Sequence, residues 1–516
     1  MCRFSDRFRP LVRAGLACVV AALASVPLAE AQNWTGLGAD NLWSTAGNWS
    51  SPPGATGATL NFSGTTNTSS QNDAAVTSVA AIRFTNTATS GSFVLGGASA
   101  VTVTGSIFTA NGAAGTEEIA FPITLGSALV SVNVGGNGHF LRVSGTITGS
   151  GTSELRKVSD NGRMFLTADN TFVGLFAPRV GSVQFPKWGN IGDPAPLGAG
   201  NLPVKVGQAG NTCDLIYDGP GESTNRYIQV GDGPSGSGGA TITSSGSGAL
   251  AFTAASRPSH PDYGNDLFNQ RHTLATVTRA LTFQGANTGS NTVSSVIVDN
   301  VDGGTARLGV TKAGSGRWIL SGANTYTGGT QVNAGTLVLD GLTGVAALTN
   351  QVASGATLAG SGTLSGPTTV SGILSPGGGT GSLGTLSFAA SNFIWNSGST
   401  AAASTDWLFD LGPSNQSDAI DIVGPFTKSG AGSGYRFDFG NSLETGTFTL
   451  ASWTGTTSFA APDFSYTNLG GGNTGSFGIV GNSLVVTIVP EPATAVWLLA
   501  SVLAAGIVRS RQRAGR

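Results

Sequence analysis

The chain has 516 residues, of which 79 are glycine and only 10 % are charged, with a formal net charge of -2. Charged residues make up ~25 % of an average soluble protein, so this chain lacks the charge that the wet faces of a helical bundle or coiled coil require. The same balance excludes a strongly basic nucleic-acid-binding protein, and a hydrophobic fraction of 40 % argues against disorder. A large, turn-rich all-β protein remains.

Residues 1–31 have the layout of a secretory signal peptide. Several arginines precede an apolar run over residues 14–28. The run ends in Ala29-Glu30-Ala31, a small-x-small site of the kind that signal peptidase cleaves. We therefore predict that signal peptidase recognises Ala29 and Ala31 and cleaves before Gln32. The protein is then expected to be exported through the inner membrane. A short N-terminal membrane anchor is the alternative.

Without its two basic ends, the chain keeps 17 basic and 24 acidic residues, a net charge of -7. This part of the chain is mildly acidic and has no basic patch for nucleic acid. Cys213 is its only cysteine. An internal disulfide and a zinc site built on cysteine pairs are therefore excluded, and the fold has to be held by its core and its strand ladders.

Residues 32–85 are rich in tryptophan, with Trp34, Trp43 and Trp49 close together. Aromatic rings can stack on sugars, which makes these three residues candidates for glycan binding. The same residues also suit an N-terminal cap, because the open end of a solenoid exposes core and strand edges that have to be covered. The sequence favours the cap and leaves the glycan site as the alternative.

Residues 86–390 contain an internal repeat. Residues 162–174 align with residues 316–328 at a constant offset of 154, and the similarity continues for another ten residues. Apolar residues alternate within each short run, which indicates strands, and Asn and Gly end the runs, which indicates turns. Such units bury a continuous core only when they stack, so we predict a β-solenoid over 86–390.

The better copy of this repeat, residues 308–341, resembles the autotransporter-associated β-strand repeat. The resemblance rests on Val310–Gly316, Asn324–Thr330 and Asn333–Leu337. The copy at 154–185 is degenerate. The resemblance implies a right-handed parallel β-helix that is displayed outside the cell. Residues 391–488 contain longer alternating runs, which we interpret as the last coils and a C-terminal β cap.

Residues 489–516 resemble the PEP-CTERM sorting signal of Gram-negative bacteria. Pro490, Glu491 and Pro492 precede an apolar stretch at 495–508, and an arginine cluster closes the chain. The resemblance implies a transmembrane sorting helix that enters the inner membrane transiently, cleavage by an exosortase near the Pro-Glu-Pro motif, and delivery to the cell surface or extracellular matrix. An ordinary C-terminal membrane anchor is the alternative.

Two clusters of polar residues are candidates for sites of chemistry. His and carboxylate residues occur together only at 260–272, which we interpret as a projecting loop with solvated side chains. A loose acidic patch is a candidate Ca²⁺ site, although solvated strand faces are its ordinary explanation; it comprises Asp406, Asp410, Asp418 and Asp421. The three histidines, His139, His260 and His272, lack metal-ligand spacing near one another. We predict no catalytic site, metal or cofactor.

Together these features predict an exported structural or adhesin-like β-solenoid without catalysis. Its expected partners are signal peptidase, an exosortase-like enzyme and extracellular polysaccharide, and no nucleic acid. The alternative function is that of a carbohydrate-binding or carbohydrate-active β-helix protein acting on extracellular polysaccharide.

Overall fold

The computed structural model describes residues 31–490, except 86–91, 111–114, 137, 160, 209, 232–236, 254–267, 271–276, 301–305, 345, 379–380, 390–391, 398–403 and 431–433. The predicted signal peptide with Ala29, the cluster at 260–272 apart from the backbone of 268–270, and the sorting signal with Glu491 and Pro492 thus lie outside the described residues. In the part of the chain that is described, no helix has the length and apolar character needed to cross a bilayer.

The described residues form 44 strands and three short 3-10 helices at Ala46–Asn48, Pro413–Asn415 and Ala461–Asp463. Most strands show the alternation that their sequences predict, as in Val130–Val134, where every second side chain is buried. The strands of the first part are β1 (Gln32–Trp34), β2 (Ala58–Phe62), β3 (Ser69–Gln71), β4 (Ser78–Phe84), β5 (Val94–Gly96), β6 (Val101–Thr109), β7 (Gly115–Ile119), β8 (Ile123–Leu125), β9 (Val130–Val134), β10 (His139–Val143), β11 (Ile147–Gly149), β12 (Glu154–Ser159), β13 (Arg163–Leu166), β14 (Leu175–Pro178) and β15 (Gly181–Phe185).

The strands of the middle part are β16 (Val204–Val206), β17 (Cys213–Tyr217), β18 (Glu222–Thr224), β19 (Ile228–Val230), β20 (Ala240–Ser244), β21 (Leu250–Phe252), β22 (Phe268–Gln270), β23 (Thr278–Gln284), β24 (Asn291–Val293), β25 (Ile297–Asn300), β26 (Arg307–Lys312), β27 (Arg317–Leu320), β28 (Thr330–Val332), β29 (Thr336–Leu339), β30 (Asn350–Val352) and β31 (Thr357–Gly360). The strands of the last part are β32 (Thr363–Ser365), β33 (Thr368–Val370), β34 (Ile373–Pro376), β35 (Thr385–Ala389), β36 (Phe393–Asn396), β37 (Ser404–Leu408), β38 (Ala419–Ile422), β39 (Phe426–Ser429), β40 (Gly434–Ser442), β41 (Gly446–Trp453), β42 (Phe464–Leu469), β43 (Thr474–Val480) and β44 (Ser483–Val489).

One sheet runs almost the whole length of the molecule. It has 15 strands in the order β3-β5-β7-β10-β13-β15-β17-β20-β23-β26-β28-β30-β33-β36-β39, and neighbours are parallel. Consecutive members of this sheet are not consecutive in the chain, so the chain leaves the sheet and returns one position further along. That path is the stacked coil of a β-solenoid, which confirms the predicted all-β class and the parallel pairing.

The other faces of the coils are made by shorter sheets. A nine-stranded sheet holds β1, β2, β4, β6, β9, β12 and β14, with β8 and β11 attached beside it. In the middle part, a four-stranded sheet (β16-β19-β22-β25) and a seven-stranded sheet (β18-β21-β24-β27-β29-β31-β34) accompany the long sheet. A coil such as β17, β18 and β19 therefore contributes one strand to each of three sheets.

The strand β6 spans two faces of the solenoid. Residues 101–103 pair with β8, and residues 106–109 pair with β9. Gly105 lies between these two halves, and a Cβ atom at this position would lie 2.5 Å from the carbonyl oxygen of Ala80 in the preceding coil. The corner thus requires a residue without a side chain because the two coils approach each other so closely.

The two repeat copies lie on different faces. In the degenerate copy, β12 and β14 belong to the nine-stranded sheet and β13 and β15 belong to the long sheet. In the better copy, β26 and β28 belong to the long sheet and β27 and β29 belong to the seven-stranded sheet. The repeat is therefore a local unit of strand, corner and strand, whose position around the solenoid differs between copies.

The coils continue as far as β42. A six-stranded sheet (β32-β35-β38-β41-β44-β43) and a three-stranded sheet (β37-β40-β42) replace the shorter sheets of the middle part. The last two strands, β43 and β44, run antiparallel to their neighbours, unlike the coils before them. One contiguous hydrophobic cluster extends from Trp34 to Ile488 inside these sheets.

Substitution of Gly105 by Ala should destabilise the solenoid. The new methyl group meets backbone of the preceding coil, which cannot move without disturbing the ladder, and overpacking of this kind costs about 1–3 kcal/mol. The measurement is urea unfolding followed by circular dichroism. Gly151→Ala is the matched control because a Cβ atom there meets nothing within 4 Å. Equal unfolding midpoints for the two variants would contradict the proposed close approach at the corner.

Candidate functional site

The three tryptophans that were candidates for glycan stacking lie in the core. Trp34, Trp43 and Trp49 are 2 %, 1 % and 5 % exposed. Their rings pack edge to face, with ring centroids 5.0 Å apart for Trp34 and Trp49 and 6.0 Å apart for Trp43 and Trp49. Phe62 packs against all three.

The indole nitrogens are also engaged within the protein. The Nε1 atoms of Trp34 and Trp49 donate to the carbonyl oxygens of Asn67 and Trp43, and that of Trp43 donates to the Ser70 hydroxyl. None of the three rings thus offers an open face to a sugar, and glycan stacking on them does not fit this structure. The alternation of apolar residues could not reveal that these three rings are buried, because it indicates strands and does not show which aromatic side chains a neighbouring loop covers.

The described side chains of the candidate Ca²⁺ patch are hydrogen-bonded within the protein, and the side chain of Asp406 lies outside the described residues. Asp418 is 1 % exposed, and its two carboxylate oxygens accept backbone N–H groups from Gly384 at 2.8 Å and Asp410 at 2.9 Å. Burial raises the pKa of Asp418 to about 7. Asp421 accepts the hydroxyl of Ser452 at 2.7 Å. Among the described residues, no three His, Cys, Asp or Glu side chains are placed to hold a metal ion.

Asp410 and Asp438 line a small cavity of about 150 Å³ beside Ser375. Asp410 accepts the backbone N–H of Gly381 at 2.5 Å, and Asp438 accepts that of Gly440 at 2.9 Å. Both carboxylates therefore stabilise adjacent turns through backbone hydrogen bonds.

The repeat segment contains a fully buried lysine. Lys312 closes β26, and its ammonium group donates to the carbonyl oxygens of Ala313, Gly314 and Ala334 at 2.7–2.9 Å. These carbonyls belong to the turns of two successive coils, so one side chain ties both turns together. Burial lowers the pKa of Lys312 to about 8.

The degenerate copy of the repeat also has a buried lysine that holds a turn. Lys157 is fully buried in β12 and donates to the carbonyl oxygen of Val180 at 2.6 Å. Val180 precedes Ala334 by the repeat offset of 154 residues, so the two lysines reach equivalent turns. The lysines themselves are offset by 155 residues, and β12 carries a register irregularity between Lys157 and Ser159. An alignment without gaps therefore misses their equivalence.

Buried asparagines stabilise the corners of the coils. The Asn324 side chain accepts the backbone N–H of Ile297 at 2.9 Å in the preceding coil and donates to Gly322 at 3.0 Å. Asn170, at the equivalent position of the other copy, accepts the N–H of Ile147 at 2.7 Å. Both asparagines are at most 1 % exposed. Asparagine at this position of the repeat therefore has the same structural role in both copies.

Comparisons with known proteins agree with this organisation. Residues 310–339 match the Passenger-associated-transport-repeat family. A stretch of 147 residues, 28 % of the chain, is 33 % identical to a protein described as Adhesin BmaC autotransporter from Brucella suis biovar 1 (strain 1330). That stretch covers 4 % of the adhesin's own length. The predicted autotransporter-associated repeat is thereby confirmed.

Replacement of Lys312 by Met should remove a pH-dependent contribution to stability. An unfolded lysine has a pKa of about 10.4, so between about pH 8 and 10.4 the unfolded chain binds more protons than the folded one. Stability from this group therefore rises with pH in that interval, and Lys312→Met should lose that rise. At pH 7 the variant also loses donors to three turn carbonyls, at a cost of about 1–3 kcal/mol.

Urea unfolding at a series of pH values from 7 to 10.5 measures both effects. Lys187→Met is the matched control, because the Lys187 side chain is 43 % exposed and pairs with Asp169, and solvent-accessible ion pairs contribute little. The same pH slope in wild type and Lys312→Met would show that folding does not lower the pKa of Lys312.

Proposed function

We propose that the protein is an exported structural solenoid that is displayed on the cell surface or in the extracellular matrix, where it serves as an adhesin-like scaffold without catalysis. The observation that carries this proposal is the match of residues 310–339 to a passenger repeat, at a position where the coils stack in register. The similarity to an autotransporter adhesin supports it. We further propose that the coils wind right-handed.

The outer surface of the long sheet suits such a role. Thr282, Thr311, Gln331, Gln351 and Thr369 oppose one another in five successive strands and are half-buried or exposed. Adjacent strands lie about 4.8 Å apart, so this row presents hydroxyl and amide groups at regular spacing. A rigid, uncharged polar row can form many weak hydrogen bonds to water, polysaccharide or a neighbouring rod.

Export and sorting complete the proposal. In this scheme, signal peptidase cleaves after Ala31, residues 32–85 cap the first coil, and residues 391–488 end in a β cap. An exosortase-type enzyme then cleaves near Pro490, after the segment 495–508 has held the chain in the inner membrane. The order of the Pro-Glu-Pro motif, the apolar stretch and the arginine cluster supports this route.

Surface display is tested by treating intact cells with a protease. Exposed protein should be degraded on intact cells, while a cytoplasmic marker stays whole. A variant in which Ala29 and Ala31 are replaced by Arg should lose signal cleavage, because signal peptidase requires small residues there. Protection of the wild-type protein on intact cells, with degradation only after lysis, would contradict surface display.

C-terminal processing is tested separately by mass spectrometry of the exported protein. We expect its C-terminus at or near Pro490, so the peptide that ends in Arg516 should be absent. Replacement of Glu491 by Ala should leave the C-terminal segment attached. An intact Arg516 on exported wild-type protein would refute the sorting route and leave surface display unaffected.

A further inference from the structure

A shallow groove lies on the outer surface of the nine-stranded sheet, near the N-terminal end of the solenoid. It has a volume of about 270 Å³ and is lined by Arg83 on β4, Ser106 and Phe108 on β6, and Ser131 and Asn133 on β9. Arg83, Phe108 and Asn133 oppose one another in three successive coils. Their side chains thus form one row across the sheet.

The charged group of this groove has no partner among the described residues. Arg83 is exposed, and its guanidinium makes no hydrogen bond or ion pair there. Asn133 is half-buried, and because its Oδ1 atom is closed to solvent, only its amide nitrogen can face a ligand. The next coil differs, because Arg156 there is paired with Glu154 through two hydrogen bonds.

The remaining wall of the groove is an aromatic ring. Phe108 points outward and is half-buried, whereas its neighbours Ile107 and Thr109 point into the core. The apolar face of a pyranose ring stacks on such a ring, and the hydroxyl oxygens of the sugar can accept from an amide nitrogen. An exposed guanidinium binds a carboxylate through two parallel hydrogen bonds.

We propose that this groove binds one acidic sugar residue, a uronic acid unit of an extracellular polysaccharide. In the bound state the sugar ring stacks on Phe108, its carboxylate pairs with Arg83, and a hydroxyl oxygen accepts a hydrogen bond from the Asn133 amide nitrogen. A volume below the usual 300–1,000 Å³ of small-molecule pockets suits one ring at a time. The proposal rests on the proposed function insofar as the groove meets polysaccharide only on an exported protein.

Binding of D-galacturonic acid and D-galactose to the exported protein, measured by titration calorimetry, tests this proposal. Wild type should bind galacturonate more tightly than galactose by about tenfold, because only the acid pairs with Arg83. Arg83→Gln should abolish that difference. Phe108→Ser should weaken both sugars by about threefold to tenfold because the stacking platform is lost.

Arg307→Gln is the matched control, since Arg307 lies on β26 far from the groove, and its binding should equal that of wild type. An acidic tripeptide serves as a second probe. Absence of galacturonate binding to folded wild type overturns the proposal, as does equal loss in Arg83→Gln and Arg307→Gln. Tripeptide binding as tight as galacturonate binding, unaffected by Phe108→Ser, would assign a carboxylate site without sugar recognition. Surface display is measured on intact cells, so its failure is distinguishable from each of these results.

Discussion

The whole fold depends on how backbone polar groups are satisfied where the chain turns from one face of a coil to the next. Along the strands, each coil bonds to the coils before and after it, so the parallel ladders pair backbone N–H and C=O groups between coils. At the corners the ladders stop. Asn324, Asn170 and Lys312 then supply the missing partners from side chains, which reach the backbone of neighbouring coils.

This solution explains how a chain with so few charges still buries several of them. Lys157, Lys312, Arg226 and Arg279 are all at most 3 % exposed, and each donates to main-chain carbonyl oxygens. Carbonyl oxygens at a corner form a partial negative charge, so a cation can be accommodated there without a buried carboxylate. Burial nevertheless lowers the pKa of Arg226 to about 10. These four buried cations thus fix main-chain carbonyl groups inside the solenoid.

The sequence predicted the local units well and their arrangement less well. The motif around Gly316 and Asn324 located β27 and the corner after it, because alternation and turn residues are local properties. The burial of Trp43 and the groove at Arg83, Phe108 and Asn133 depend on which residues of different coils come into register. Arg83 and Phe108 are 25 residues apart, and so are Phe108 and Asn133. Val310, in contrast, pairs with Thr330, which lies only 20 residues further along the chain. Coil length varies, so no fixed period in the sequence reveals these contacts.

The placement of the two repeat copies on neighbouring faces has a consequence for how such solenoids diversify. An additional unit of strand, corner and strand begins on the face of the solenoid at which the preceding strand ended. Every surface feature that it carries is then rotated about the long axis relative to the parent copy. Gain or loss of one unit therefore changes the angular phase between grooves and polar rows without disturbing the core. Rods of similar sequence can in this way present the same patches in different directions.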